Sequence, residues 1–222
     1  MQRSPRFALL PLARSLLRRP AAWVPLFALF LASCGRTPPR PNVVLISVDT
    51  LRPDHLSAYG YGRKTSPFID SLAARGARFT DCWSVTSWTR PAMASLFTGL
   101  HPRSHGVVTT DLIATDGTRW PIKIDPSFVT LAETLKANGY AAFGVSANPQ
   151  AGVWTGSDQG FDVFIETGDL MDADAVHRRL LSLRERLRRE RPFFLWIFYY
   201  DPHAPYTPRS PWIEEYARHP AL

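Results

Sequence analysis

The sequence predicts an α/β fold with a mostly parallel central sheet flanked by helices, and two observations carry that expectation. Three nearly continuous apolar runs, Asn42–Val48, Tyr140–Ser146 and Phe193–Tyr199, have the pattern of parallel strands buried on both faces. Helical segments lie between them, and strands alternating with helices build parallel sheets. The chain of 222 residues is long enough for a sizeable core.

The first 33 residues read as an address. Arg3, Arg6, Arg14, Arg18 and Arg19 precede an apolar run from Ala21 to Ala32, which is shorter than the roughly 20 residues that span a bilayer as a helix. The run ends in Leu31-Ala32-Ser33-Cys34, which resembles a bacterial lipobox. That resemblance implies that Cys34 receives a diacylglycerol and becomes the mature N-terminus. Gly35 in the next position implies the outer membrane of a Gram-negative host. An ordinary secretory signal or an uncleaved anchor, with Cys34 incidental, is the other reading. The expected organisation is a leader at 1–33, a proline-rich tether at 34–41 and a catalytic-type domain at 42–222.

The formal charge is +7, but removing the five arginines of residues 1–33, which hold no acidic residue, leaves +2. No clustered basic stripe interleaved with aromatics remains, so no nucleic-acid partner is expected. The arginines of 178–189 are mixed with Glu185 and suit a solvated helix face. With Cys34 assigned to lipid, Cys82 has no intrachain partner and is expected to be a small buried residue.

Along the domain, the strand at 42–48 ends directly in Asp49, and ligands of open parallel sheets bind beyond the carboxyl ends of strands. Asp49 is therefore either functional or the start of a turn. Ser66-Pro67 opens a helix with Phe68, Ile69 and Leu72 on one face, and Ala77–Thr80 reads as a further strand. Ser87–Gly99 reads as a loop turning into a short helix, with Pro91 in the first turn and Gly99 as its left-handed stop. Thr89 stands at the junction, where it either caps the helix or presents its oxygen to the positive end of the helix dipole. Thr130 and Glu133 form a capping box for a helix that stops at Gly139. Asn148 before Pro149 either forms a turn or donates a hydrogen bond to a phosphate oxygen. A helix over Ala173–Arg189, with Val176, Leu180, Leu183 and Leu187 on one face, precedes the strand Phe193–Tyr199. His203 follows in Asp201-Pro202-His203-Ala204-Pro205-Tyr206, read as a site residue or as part of a proline-built turn.

Several of these stretches resemble the sulfatase family of the alkaline-phosphatase superfamily. Thr89-x-Pro91-x-x-Ala94-Ser95-Leu96-x-Thr98-Gly99 is similar to its nucleophile motif, Cys/Ser-x-Pro-x-Arg-A-S-L-L-T-G. Asp49-Thr50-Leu51-Arg52-Pro53-Asp54-His55 resembles the block that opens many such domains, and the segments around His105 and His203 resemble two more. The resemblance runs from Pro41 to Trp212 and implies an alkaline-phosphatase-like domain whose C-terminal part lies beyond this sequence. It implies Asp49 as a metal ligand, His105 as a structural histidine and His203 as a contact to the transferred group.

Five departures shape the expectation. Thr89 occupies the place of the oxidisable Cys or Ser, and its oxidation would yield a ketone rather than an aldehyde, so it is similar to the plain Thr nucleophile of superfamily phosphodiesterases and phosphotransferases. Met93 stands in place of the Arg, Thr50 in place of a second Asp, and Ala147 and Pro149 in place of a Lys and a His. A helix N-terminus offers about 0.3–1 kcal/mol towards ionising a hydroxyl. Zinc can move the pKa of water from about 15.7 to about 7, near 12 kcal/mol at roughly 1.36 kcal/mol per unit. A divalent ion (calcium, zinc or manganese) bound by Asp49 and Thr89 is therefore expected, with its other ligands downstream. The expected activity is hydrolysis or transfer of a sulfate or phosphate ester at the cell envelope. Thr89 and His203 would be catalytic, with Asn148 and His203 binding substrate. The other expectation is a non-catalytic envelope lipoprotein or a truncated, inactive remnant.

Overall fold

The computed structural model describes residues 39–109, 111–113, 115–168 and 172–217. Cys34 and the leader lie outside the described residues. Among the described residues no helix is long and apolar enough to cross a membrane.

Four parallel strands form the central sheet: β1 (Val43–Val48), β4 (Ala141–Ser146), β5 (Val163–Glu166) and β6 (Phe193–Tyr199), in the order β1-β6-β4-β5. β2 (Asp111–Ile113) and β3 (Arg119–Pro121) make a separate antiparallel hairpin. The helices are α1 (Pro67–Ala73), α2 (Thr89–Thr98), α3 (Pro102–His105), α4 (Leu131–Ala137), α5 (Ala173–Arg189) and α6 (Trp212–Ala217).

Successive strand side chains point to opposite faces, and β6 shows what this does with an unbroken apolar run. Phe194, Trp196 and Phe198 enter one core with Ala94 and Phe97 of α2 and Ala132 of α4. Phe193, Leu195 and Ile197 enter the other, with Val176 and Leu183 of α5. A strand sandwiched between helices has no polar face to keep, so β6 is buried along nearly its whole length. The Phe97 and Trp196 rings meet edge to face, 4.9 Å apart.

β1 departs from the expectation of burial on both faces. It is an edge strand, and Val44 and Ile46 are half exposed while Leu45 packs on the first core. Its apolar run is continuous, yet among the described residues no helix covers its second face. Ala77–Thr80 is not a strand, and Phe79 there is exposed. In α1, Phe68 and Leu72 are exposed too, and Cys82 is exposed rather than buried.

The capping box forms as read. Thr130 Oγ1 accepts the Glu133 N–H at 3.2 Å, and Glu133 Oε2 accepts the Thr130 N–H at 2.8 Å. Gly160, at φ +90°, packs directly on this box, where a Cβ would come within 2.6 Å of the Glu133 backbone nitrogen. Only glycine allows that approach with that backbone.

Candidate active site

The carboxyl ends of β1, β4 and β6 deliver Asp49, Asn148 and the 200–203 turn to the same edge of the sheet. The Asp49 N–H bonds the Tyr199 carbonyl at 2.9 Å, continuing the ladder between β1 and β6 and fixing the Asp49 backbone. Asp49 is 8% exposed. Thr50 follows at φ +50°, a left-handed conformation that costs a non-glycine residue about 1–2 kcal/mol. The chain turns sharply out of the strand there.

Thr89 is the first residue of α2, not its cap. Trp88 holds the cap position and supplies no side-chain bond. The Thr89 hydroxyl instead donates toward Asp49, with Oγ1 at 3.3 Å from Oδ2 and 3.5 Å from Oδ1. Pro91 lies in the first turn, where its missing N–H leaves no gap in the helix, and Gly99 closes the helix at φ +69°.

Asn148 forms the turn read from its sequence position. Its Oδ1 accepts the Gln150 N–H at 2.7 Å, capping the 3-10 turn Pro149–Ala151. That bond orients the amide, so Nδ2 faces Asp49 and donates to Oδ2. Asn148 is 3% exposed. Thr89, Asp49 and Asn148 thus share one carboxylate, contributed by segments far apart in the chain.

Arg90 is a member of this site that sequence reasoning missed. Its side chain is buried, and its Nε and Nη2 donate to Gln150 Oε1 at 3.0 and 2.7 Å. Its Nη1 donates to the Ile122 carbonyl at 3.2 Å, and the guanidinium lies 4.2 Å from the centre of the Trp154 ring. Burial lowers its pKa from the ordinary value, with the charge of Asp111 opposing the shift. Met93, in the place of the motif's Arg, packs against the core that holds Phe97.

His203 stands apart from the trio. Its Nδ1 donates to the Ala204 carbonyl at 2.6 Å, which leaves Nε2 as the acceptor of the neutral ring. The ring lies 4.5 Å from that of Tyr200 and lines a cavity of about 530 Å³ with Asp201, Tyr206, Arg209 and Trp212. No hydrogen bond among the described residues joins His203 to Thr89, Asp49 or Asn148. Burial and the negative charge of Asp49 raise the Tyr200 phenol above its usual pKa.

His105 is structural, as expected. Its Nδ1 accepts the Val107 N–H at 3.1 Å, so Nε2 carries the proton towards Ser95 Oγ at 2.9 Å. Burial, with the neighbouring His101 in support, lowers its pKa from the ordinary histidine value.

A divalent ion needs about four donors if zinc and six to eight if calcium. The trio offers one carboxylate and one hydroxyl, with the Asn148 amide turned nitrogen-first. Among the described residues no group of three His, Cys, Asp or Glu side chains converges on one point. Alone, these residues do not fit a complete metal site.

Comparison with known proteins matches the sulfatase family model to residues 41–220. Arylsulfatase A of Bos taurus is 37% identical over 120 residues, 54% of this chain and 22% of that protein. The N-acetylgalactosamine-6-O-sulfatase of Bacteroides thetaiotaomicron is 32% identical over 112 residues, 48% of this chain and 20% of that protein. The matched stretch thus spans about a fifth of these relatives' length. Among solved structures, the phosphonate monoester hydrolase of Agrobacterium radiobacter superposes with a TM-score of 0.58 at 23% identity, covering 78% of this chain and 43% of that one. At that identity the likeness speaks for the fold.

Proposed function

Because this chain belongs to the sulfatase family, we propose that it carries the nucleophile half of an enzyme that cleaves or transfers a sulfate or phosphate ester at the cell envelope. The observation that supports this most is the Thr89 hydroxyl, 3.3 Å from a buried carboxylate at the carboxyl edge of the sheet. Such a contact is loose for a hydrogen bond, as is ordinary before substrate arrives.

Thr89 Oγ1 attacks the phosphorus or sulfur in line while its proton passes to Asp49. A bond forms between Oγ1 and that centre, and the bond to the leaving alcohol oxygen breaks. The leaving alkoxide oxygen takes up a proton from solvent on the cavity side, where His203 Nε2 would bind the resulting hydroxyl. Water then releases the acid from Thr89, or a second alcohol accepts the group in a transferase. Asn148 holds Asp49 in place and faces the bound anion. Superfamily members generally use a divalent metal; Asp49 and Thr89 are the side chains this stretch would contribute, and further donors must come from elsewhere. The leader motif supports anchoring through lipid on Cys34, checked by fatty-acid labelling of Cys34→Ala beside wild type.

The test assays p-nitrophenyl phosphate and p-nitrophenyl sulfate with wild type and Thr89→Ala. Turnover should fall on the order of 10³-fold or more in the variant with melting unchanged, and mass spectrometry should find the covalent ester on Thr89. Wild-type rates in Thr89→Ala would refute the assignment. The other reading is a non-catalytic lipoprotein, and purified native protein without a stoichiometric divalent ion and without turnover would favour it.

A further inference from the structure

We infer that Arg90 and Gln150 form a positioning clamp that holds the nucleophile against its carboxylate. The inference rests on Thr89 being the nucleophile. The geometry forms a closed circuit. Thr89 Oγ1 bonds Asp49, and Asp49 Oδ2 accepts from Asn148 Nδ2. Asn148 Oδ1 accepts the Gln150 N–H, and Gln150 Oε1 takes two donors from Arg90. Arg90 returns to Thr89 through one peptide bond. The start of α2 and the 3-10 turn after β4 are therefore joined twice, once through Asp49 and once through the guanidinium.

The second joint explains a choice the rest of the fold does not require. A buried guanidinium is costly unless its donors are satisfied, and an apolar side chain would fill the space beneath Trp154 at less cost. Arg90 instead meets a side-chain amide, a backbone carbonyl and an aromatic face. A planar, multidentate group resists rotation about any one bond. With it in place, the first turn of α2 cannot swing away from Asp49, and the Asn148 amide cannot flip without disturbing Gln150. Arg90 touches none of the reacting atoms; it acts through the positions of Thr89 and Asn148.

The test uses the full chain with Arg90→Met, which keeps the volume, and Gln150→Glu, which keeps the acceptor and adds charge to it. Two readouts are taken: steady-state kinetics on p-nitrophenyl phosphate and p-nitrophenyl sulfate, and NMR hydrogen exchange of the Asn148 side-chain amide. Arg90→Met should lower kcat roughly tenfold to hundredfold with KM little changed, the expected penalty of a misplaced nucleophile. It should also speed exchange of the Asn148 amide about tenfold or more, as a freed hydrogen-bond donor does. Gln150→Glu, which keeps the acceptor for Arg90, should leave Asn148 exchange at the wild-type rate. Unaltered Asn148 exchange in Arg90→Met would overturn the clamp. So would equal losses in both variants, which would mark a general packing defect. Should wild type turn over neither ester, the proposed function fails, while the exchange measurement still decides the clamp.

Discussion

Exchanging Asn148 for Asp tests the centre of the site with a change of one atom's chemistry. The substitution keeps an oxygen for the Gln150 N–H, so the cap of the 3-10 turn survives. What is lost is the donor facing Asp49 Oδ2, replaced by a second carboxylate oxygen. A hydrogen bond to a charged group contributes about 1.5–3 kcal/mol, and two carboxylates in contact disfavour joint ionisation. For a domain of this size each kcal/mol moves Tm by about 2–4 °C, so Asn148→Asp should melt roughly 3–12 °C below wild type at pH 7.5. The repulsion raises the pKa of the carboxyl pair in the folded state above its unfolded value of about 4. Folding thus binds a proton, and stability is lost as pH rises through and above that value. The deficit should shrink on going from pH 7.5 to pH 4.5. Melting is followed by circular dichroism at constant ionic strength with chelator present, so that no divalent ion bridges the two carboxylates. A deficit independent of pH, or none at all, would refute the placement of Asn148 against Asp49.

The neutral, buried His105 makes a further prediction. Its folded pKa is lowered, so the unfolded chain binds the proton first, and stability should fall as pH drops below about 6.5. His105→Gln should lose that part of the acid slope, read as Tm against pH, even though its Tm at pH 8 is lower than that of wild type. Gly160→Ala should cost about 1–2 kcal/mol for the left-handed backbone and about 1–3 more for the forced contact with Glu133. A chemical denaturation midpoint equal to wild type would contradict the packing of Gly160 on the capping box.

Legibility in the sequence followed how local the cause was. The α5 bounds, the β6 bounds and the capping box were readable because their signals sit within one element: spacing of Val176, Leu180, Leu183 and Leu187, an unbroken apolar run, and Thr130 three residues before Glu133. Ala77–Thr80 has the alternation of a short strand, but a strand exists only with a partner, and none pairs with it. The β2–β3 hairpin was missed although Asp116-Gly117 carries its turn, with Asp116 Oδ1 accepting the Thr118 N–H and Gly117 at φ +84°. Its two flanking runs are only three residues each. In the site, Thr89, Asp49 and Asn148 were each nominated one at a time. Their bonding to a single carboxylate depends on strand order, which no local pattern records. Arg90 was unreadable for the same reason: its burial is created by Trp154 and Gln150, some sixty residues later.

The place of β6 in the sheet also sets an order of assembly. β1 and β4 both pair with β6 and not with each other. On a ribosome, residues 43–48 and 141–146 emerge long before the strand that must slide between them. Until Phe193–Tyr199 arrives, Asp49 and Asn148 have no frame in which to meet, and the apolar edges of two waiting strands stand open to other chains. Closure over so many intervening residues is a slow, non-local step. The nascent protein therefore acquires its carboxylate-centred site only once residues 193–199 are in place between the two waiting strands.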